Sequence, residues 1–139
     1  MMNSDLLLGA VGMSSLSIRP GDTAVASSIS DLPVISTSSL IGLVESACSA
    51  ALAEYFEPGE TSSTVDIQLS LLSGVGVGNE IRAYVTCVDV QGPLLEFSAE
   101  INHEARLIAT ATVHRKVVDR VSFMARTAAE GMLAEKKTP

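Results

Sequence analysis

TSSLIGLVESACSAALAEYF, residues 37–56, is a run of small and apolar side chains that carries one acid, Glu45, near its middle and a second, Glu54, toward its end. It reads as a helix. At about 100° per residue, Glu45 shares a surface with Ile41, Cys48, Leu52 and Phe56, with Val44 and Tyr55 close by. The acid therefore falls inside the apolar stripe. Glu54 falls on the other side with Gly42, Ser46 and Ala50, where a solvated face is expected. A carboxylate taken out of water needs donors around it or a proton of its own. Glu45 is thus either a hydrogen-bonded structural acid, or one turned to solvent, or an acid placed for catalysis or ligand binding.

The flanks of this segment punctuate it. Ser36, Thr37, Ser38 and Ser39 offer several N-caps, and Glu57-Pro58-Gly59 stops the helix. Upstream, SSLSIRPGDTA (14–24) reads as a short strand ending at Pro20-Gly21, and SSISDLPVIST (27–37) as a Ser-rich loop. Downstream, four extended segments near 61–73, 79–91, 94–103 and 105–118 are separated by the turn signals SGVGVGN, QGP and NHEA. That pattern predicts an antiparallel meander after one long helix. From Asp119 to about Lys136, Val121, Met124, Ala128 and Met132 recur at helical spacing and predict a C-terminal helix on the surface. No internal repeat or linker interrupts the chain, so residues 1–139 read as a single domain.

Composition narrows the function classes. Hydrophobic residues make up 47% and charged residues 18%, which gives a globular chain with a core, and no apolar run reaches the length of a membrane span. The first residues carry Asp5 and no basic cluster, so a secretory signal is not expected and the location reads as cytoplasmic. Cys48 and Cys87 read as small core residues. No CxxC or HExxH spacing occurs, and neither a metal nor a cofactor is expected.

The net charge of −7 is uneven. Residues 1–105 hold 2 of the 9 basic and 13 of the 16 acidic residues, for −11; residues 106–139 hold the other 7 and 3, for +4. An acidic chain with no Trp and only five Tyr or Phe lacks what a nucleic-acid binder needs. The basic end suits a small polyanion or an ordinary solvated helix. One helix covers one face of a five-stranded sheet, and in 105–118 neither alternating set is strongly polar. A second copy of the chain is expected to cover what remains.

The wording supports more than the pattern. DTAVASSISDLPVISTSSLIGLVESAC, EPGE, GNEIRAYVTCVDVQGPLLEFSAEI and LIATATVHRKVV, spanning about residues 22–118, resemble the fluoroacetyl-CoA thioesterase-like group of hotdog proteins. The resemblance implies an α+β hotdog fold, with an antiparallel sheet wrapped around the long helix. It implies an acyl-CoA thioester hydrolase. Thr37 and Glu45 fall on the family's catalytic threonine and helix glutamate, and Arg115 on its late-strand arginine. The family histidine is replaced by Leu71, or by Leu69 if the strand slips by two. That replacement leaves an alternative, a non-catalytic hotdog protein binding an acyl thioester or small apolar ligand. Backbone N–H groups near Leu40, Ile41 and Gly42 are expected to face the thioester oxygen. Arg115 and Lys116 are expected to meet CoA phosphates, while His103 and His114 are assigned no role.

Overall fold

The computed structural model describes residues 4–137; the outermost residues of the expected 1–139 domain lie outside them. The chain runs α1 (Ser4–Leu7), β1 (Val11–Ser17), α2 (Thr37–Leu52), β2 (Glu60–Leu71), β3 (Glu80–Gln91), β4 (Leu94–His103), β5 (Arg106–Asp119) and α3 (Arg120–Lys137). The five strands form one antiparallel sheet in the order β1-β3-β4-β5-β2, curled around α2. Only β3-β4-β5 is a meander. The expected four-strand meander is corrected because β2 pairs with β5 at the far edge, while β1 takes the free side of β3.

Local chemistry sets the ends of the elements. Ser36 caps α2, its Oγ accepting from the Ser39 N–H at 3.1 Å, and buried Ile35 and Leu40 occupy the flanking positions where an apolar staple forms. The helix ends at Leu52, one turn before the expected 56, because Tyr55 N–H closes a tighter bond to Leu52 O and Pro58 bars its predecessor from the helical region. β1 starts and ends earlier than expected. Pro20–Asp22 forms a 3₁₀ turn that Arg19 and Asp22 close on each other.

The buried face of α2 is Leu40, Leu43, Val44, Ala47, Cys48, Ala51 and Leu52. Glu45 stands at its margin, half-buried, not inside it as the wider stripe suggested. Opposite lie Ile81, Ala83, Val85 and Cys87 of β3, Leu95, Phe97, Ala99 and Ile101 of β4, and Ala109, Ala111 and Val113 of β5. The reverse face carries Arg82, Tyr84, Thr86, Ser98, Glu100, Thr110, Thr112 and His114, so it is polar and needs no apolar cover. The expectation of an apolar outer sheet face is corrected. Among the described residues, what stays unpaired is the edges, β1 and β2. Residues 120–135 of α3 are exposed throughout, with Phe123, Arg126 and Thr127 lining a groove shared with Ser63, Val65 and Lys116.

Gly12 is where β1 crosses α2. A Cβ there would meet Ala47 O at 2.2 Å and Ala51 N at 2.7 Å, both backbone atoms that cannot swing away. Gly12→Ala is expected to lower stability by about 1–3 kcal/mol or more through overpacking. Gly42 sits exposed inside α2 with nothing within 4 Å of an added Cβ, so Gly42→Ala is expected to raise stability by about 0.5–1 kcal/mol. Urea denaturation of the two variants checks that the signs are opposite.

Candidate active site

Glu45 is met from β2. Thr64 Oγ1 donates to Glu45 Oε2 at 2.8 Å, and Arg115 NH1 donates to the same Thr64 oxygen at 2.9 Å. Arg115 also donates from Nε to Ser62 Oγ at 3.0 Å and from NH2 to Ser62 Oγ at 2.7 Å and Ser62 O at 3.4 Å. A guanidinium has no acceptor and an ionised carboxylate has no donor, so the Thr64 hydroxyl must accept from Arg115 and give its one hydrogen to Glu45. The polarity of the chain of bonds is thereby settled. Arg115 is 6% exposed, which leaves no surface for a CoA phosphate. Its hydrogen bonds go to Ser62 and Thr64, so the guanidinium stands one hydroxyl away from Glu45.

A β-bulge makes this arrangement possible. Thr64 pairs with Arg115 and Asp66 with His114, so Val65 has no partner. Before the bulge Ser62 and Thr64 face α2; after it Ile67, Leu69 and Leu71 do, while Asp66, Gln68 and Ser70 face outward. Beside Glu45, the Cys48 thiol is pushed up to about 12, chiefly by burial; Arg115 pulls it down, and Glu45 and Cys87 push it further up. It stays a thiol and supplies no thiolate nucleophile.

The other expected residues are spread along the same helix and strand. Thr37 is exposed at the first position of α2, and eight residues of helix put it roughly 12 Å along the axis from Glu45. Leu40 is fully buried, and its N–H donates to Ser36 O at 3.1 Å. Ile41 and Gly42 lie further inside the helical ladder. The amides at Ser36 and Ser39 are taken by Asp22 O and Ser36 Oγ, so among the described residues Thr37 and Ser38 hold the outward-facing donors. The Leu40–Gly42 amides, expected to face the thioester oxygen, thus lie within the helix.

Leu71 ends β2 opposite Ala109, 42% exposed, on the face turned to α2. Leu69 is on that face too. Seven residues of strand separate Leu71 from Thr64, roughly 20 Å, so position 71 does not meet Glu45 within one chain. His103 pairs with Arg106 at the end of β4. His114 is on the outer face, between Asp66 and Glu96.

Sequence reasoning did not find Ser62 and Thr64. The available signal was two hydroxyl residues at alternate positions in SSTVD, which only becomes meaningful once Arg115 is known to lie opposite. Thr64→Val leaves a carboxylate and a guanidinium short of a partner and is expected to cost about 1–3 kcal/mol in urea denaturation. Thr64→Ser keeps the hydroxyl and should recover most of the loss.

The sequence pattern of the fluoroacetyl-CoA-specific thioesterase family matches residues 18–121. Among solved structures, the fluoroacetyl-CoA thioesterase FlK is 25% identical, with a TM-score of 0.79 over 95% of this chain and 97% of that one. A hot-dog-like protein from Thermanaerovibrio acidaminovorans is 20% identical, with a TM-score of 0.85 over 93% and 97%. A hypothetical protein of the thioesterase superfamily from Thermus thermophilus is 15% identical, with a TM-score of 0.83 over 94% and 96%. No curated protein matches the sequence. The matched span runs from before α2, with its half-buried Glu45, through β5, with Arg115 beneath it, and the curled five-stranded sheet is the hotdog architecture: the chain belongs to the fluoroacetyl-CoA-specific thioesterase family.

Proposed function

We propose that the protein is a cytoplasmic homodimer that hydrolyses acyl-CoA thioesters with Glu45 as its reacting carboxylate. The observation that carries this is the Thr64–Glu45 hydrogen bond backed by Arg115. It holds a half-buried acid in one orientation at the position of the family's helix glutamate. Among the described residues Oε2 alone is engaged, so Oε1 is the oxygen available to take a proton from water or to attack the thioester carbonyl.

The rest of the site is assembled from a second copy. Thr37 and the helix-start amides are too far along α2 to meet a carbonyl held at Glu45 of the same chain. A partner pairing along the β2 edge would bring its own α2 start and its own strand end to that carbonyl. The positive end of the helix dipole and the Thr37 and Ser38 amides then stabilise the oxyanion. Ile41 and Leu71 provide apolar wall, and Leu40, fully buried, anchors the helix start in the core. Two buried free cysteines accord with a reducing compartment.

One observation favours a second reading, a non-catalytic acyl-thioester binder. Leu71 replaces the family histidine, and neither described histidine is on the inner face of β2. A general base typically contributes about 10² to 10⁴ in rate, so Glu45 working alone would be a slow catalyst.

Thiol release from a panel of acyl-CoAs, short chains first, decides between them. With Glu45→Gln beside the wild type, the enzyme reading expects hydrolysis to fall at least roughly 10²-fold with the fold intact. No release from the wild type supports the binder, and release that survives the substitution removes Glu45 from the chemistry. Sedimentation at low micromolar concentration is expected to give about twice the chain mass, and a stable monomer would overturn the shared site.

A further inference from the structure

On the outer face of the sheet, directly behind the Thr64–Arg115 pair, three side chains from three strands are linked. His114 Nδ1 on β5 is 2.6 Å from Asp66 Oδ1 on β2, and His114 Nε2 is 2.9 Å from Glu96 Oε1 on β4. Ionised carboxylates only accept, so the ring makes both hydrogen bonds at once only when both of its nitrogens carry hydrogen, as an imidazolium. A neutral ring has one N–H and turns a lone pair toward the other carboxylate. The charged groups facing His114 are Asp66 from β2 and Glu96 from β4, with Lys116 two residues along β5 itself. Nothing in the proposed chemistry uses this cluster.

Its position gives it a consequence for Glu45. Asp66 is the first paired residue after the unpartnered Val65, and Thr64 is the last before it. A strand's side chains alternate, so moving the extra residue slips the 60–64 segment by one and turns Thr64 outward and Val65 inward. Glu45 would then face an isopropyl group in place of a hydroxyl. The bulge has to be held where it is, and Asp66 is the residue through which it can be held.

We propose that His114 is a positioning residue for Glu45: by tying Asp66 to Glu96 across β5 it pins the Val65 bulge and so keeps the Thr64 hydroxyl on the carboxylate. The proposal rests on Glu45 being the reacting group. Hydrogen bonds from Asp66 and then Glu96 raise His114 above its usual value of 6.5. A raised histidine stabilises the fold fully below its ordinary value and loses that contribution as pH rises through the raised one. The clamp is therefore closed in weak acid, below the ordinary histidine value, and opens as pH rises through the raised one.

Two readouts on the full-length protein test this, one of them independent of hydrolysis. At pH 6, amide hydrogen exchange at residues 64–67 should be several-fold faster in His114→Gln than in the wild type. In the wild type it should accelerate as the His114 ring, followed by NMR, loses its proton. In acyl-CoA hydrolysis, His114→Gln should lower kcat by about 10-fold to 10²-fold, the scale of a displaced catalytic group, with KM little changed. Its rate should no longer follow the ring titration that the wild-type profile shows. Glu96→Gln, which removes one arm and leaves the ring, should shift exchange and kcat the same way. Unchanged exchange at 64–67 in both variants overturns the proposal. Faster exchange with no hydrolysis by the wild type upholds the clamp while removing the enzyme reading.

Discussion

A guanidinium enclosed beneath a helix has to be met by acceptors, and in this protein Arg115 sets that requirement for its surroundings. It is buried on β5 where a regular inner-face position would hold an aliphatic side chain, and β2 answers it with Ser62 and Thr64. Each remaining feature of the site follows from that answer. Thr64, having accepted from the cation, has one hydrogen left, and the nearest acceptor on α2 is Glu45. The hydroxyl transmits the position of a charge on the sheet to a charge on the helix without bringing the two together. Unpaired, either charge would be costly in this partly desolvated place.

The bulge at Val65 reconciles two incompatible demands on one strand. Toward its start β2 must turn hydroxyls inward for Arg115; toward its end it must turn Ile67 and Leu69 inward for the core. Those positions differ in parity, and a regular strand cannot satisfy both. One extra residue changes the phase, at the cost of a local break in the ladder beside the site. The clamp of Asp66, His114 and Glu96 spans that break on the opposite face.

The same geometry bears on association. The outer face is polar and carries its own hydrogen bonds, so its cover by water is sufficient. The edges are different, since β2 ends the sheet with unpaired backbone groups and with Val65, Leu71 and Leu72 exposed along it. Glu45 lies beside that edge, while the start of α2 lies about two turns away. An association through β2 would thus bring a second chain to the apolar edge beside Glu45, whereas one through the outer face would reach neither.

Residues 37–52 are a helix by local rule alone: small and apolar positions at helical spacing, a serine cap before them and Pro58-Gly59 after. The strands from 60 to 119 were legible for the same reason, since alternation and turn residues act over a few positions. The likeness of DTAVASSISDLPVISTSSLIGLVESAC and LIATATVHRKVV to a known family singled out Thr37, Glu45 and Arg115 from sequence alone. It could not say that Arg115 is enclosed, that Thr64 stands between it and Glu45, or that the Leu40 amide is already spent in the helix. Nor could it place β2 beside β5 or find the bulge at Val65. Those depend on which strand lies next to which and in what register. Such pairings join residues some fifty positions apart, through backbone bonds that any side chains of the right alternation would permit. Local sequence specified the elements; only the closing of the sheet around α2 decided which polar groups would be shut in together, because only then did burial make each of them require a partner.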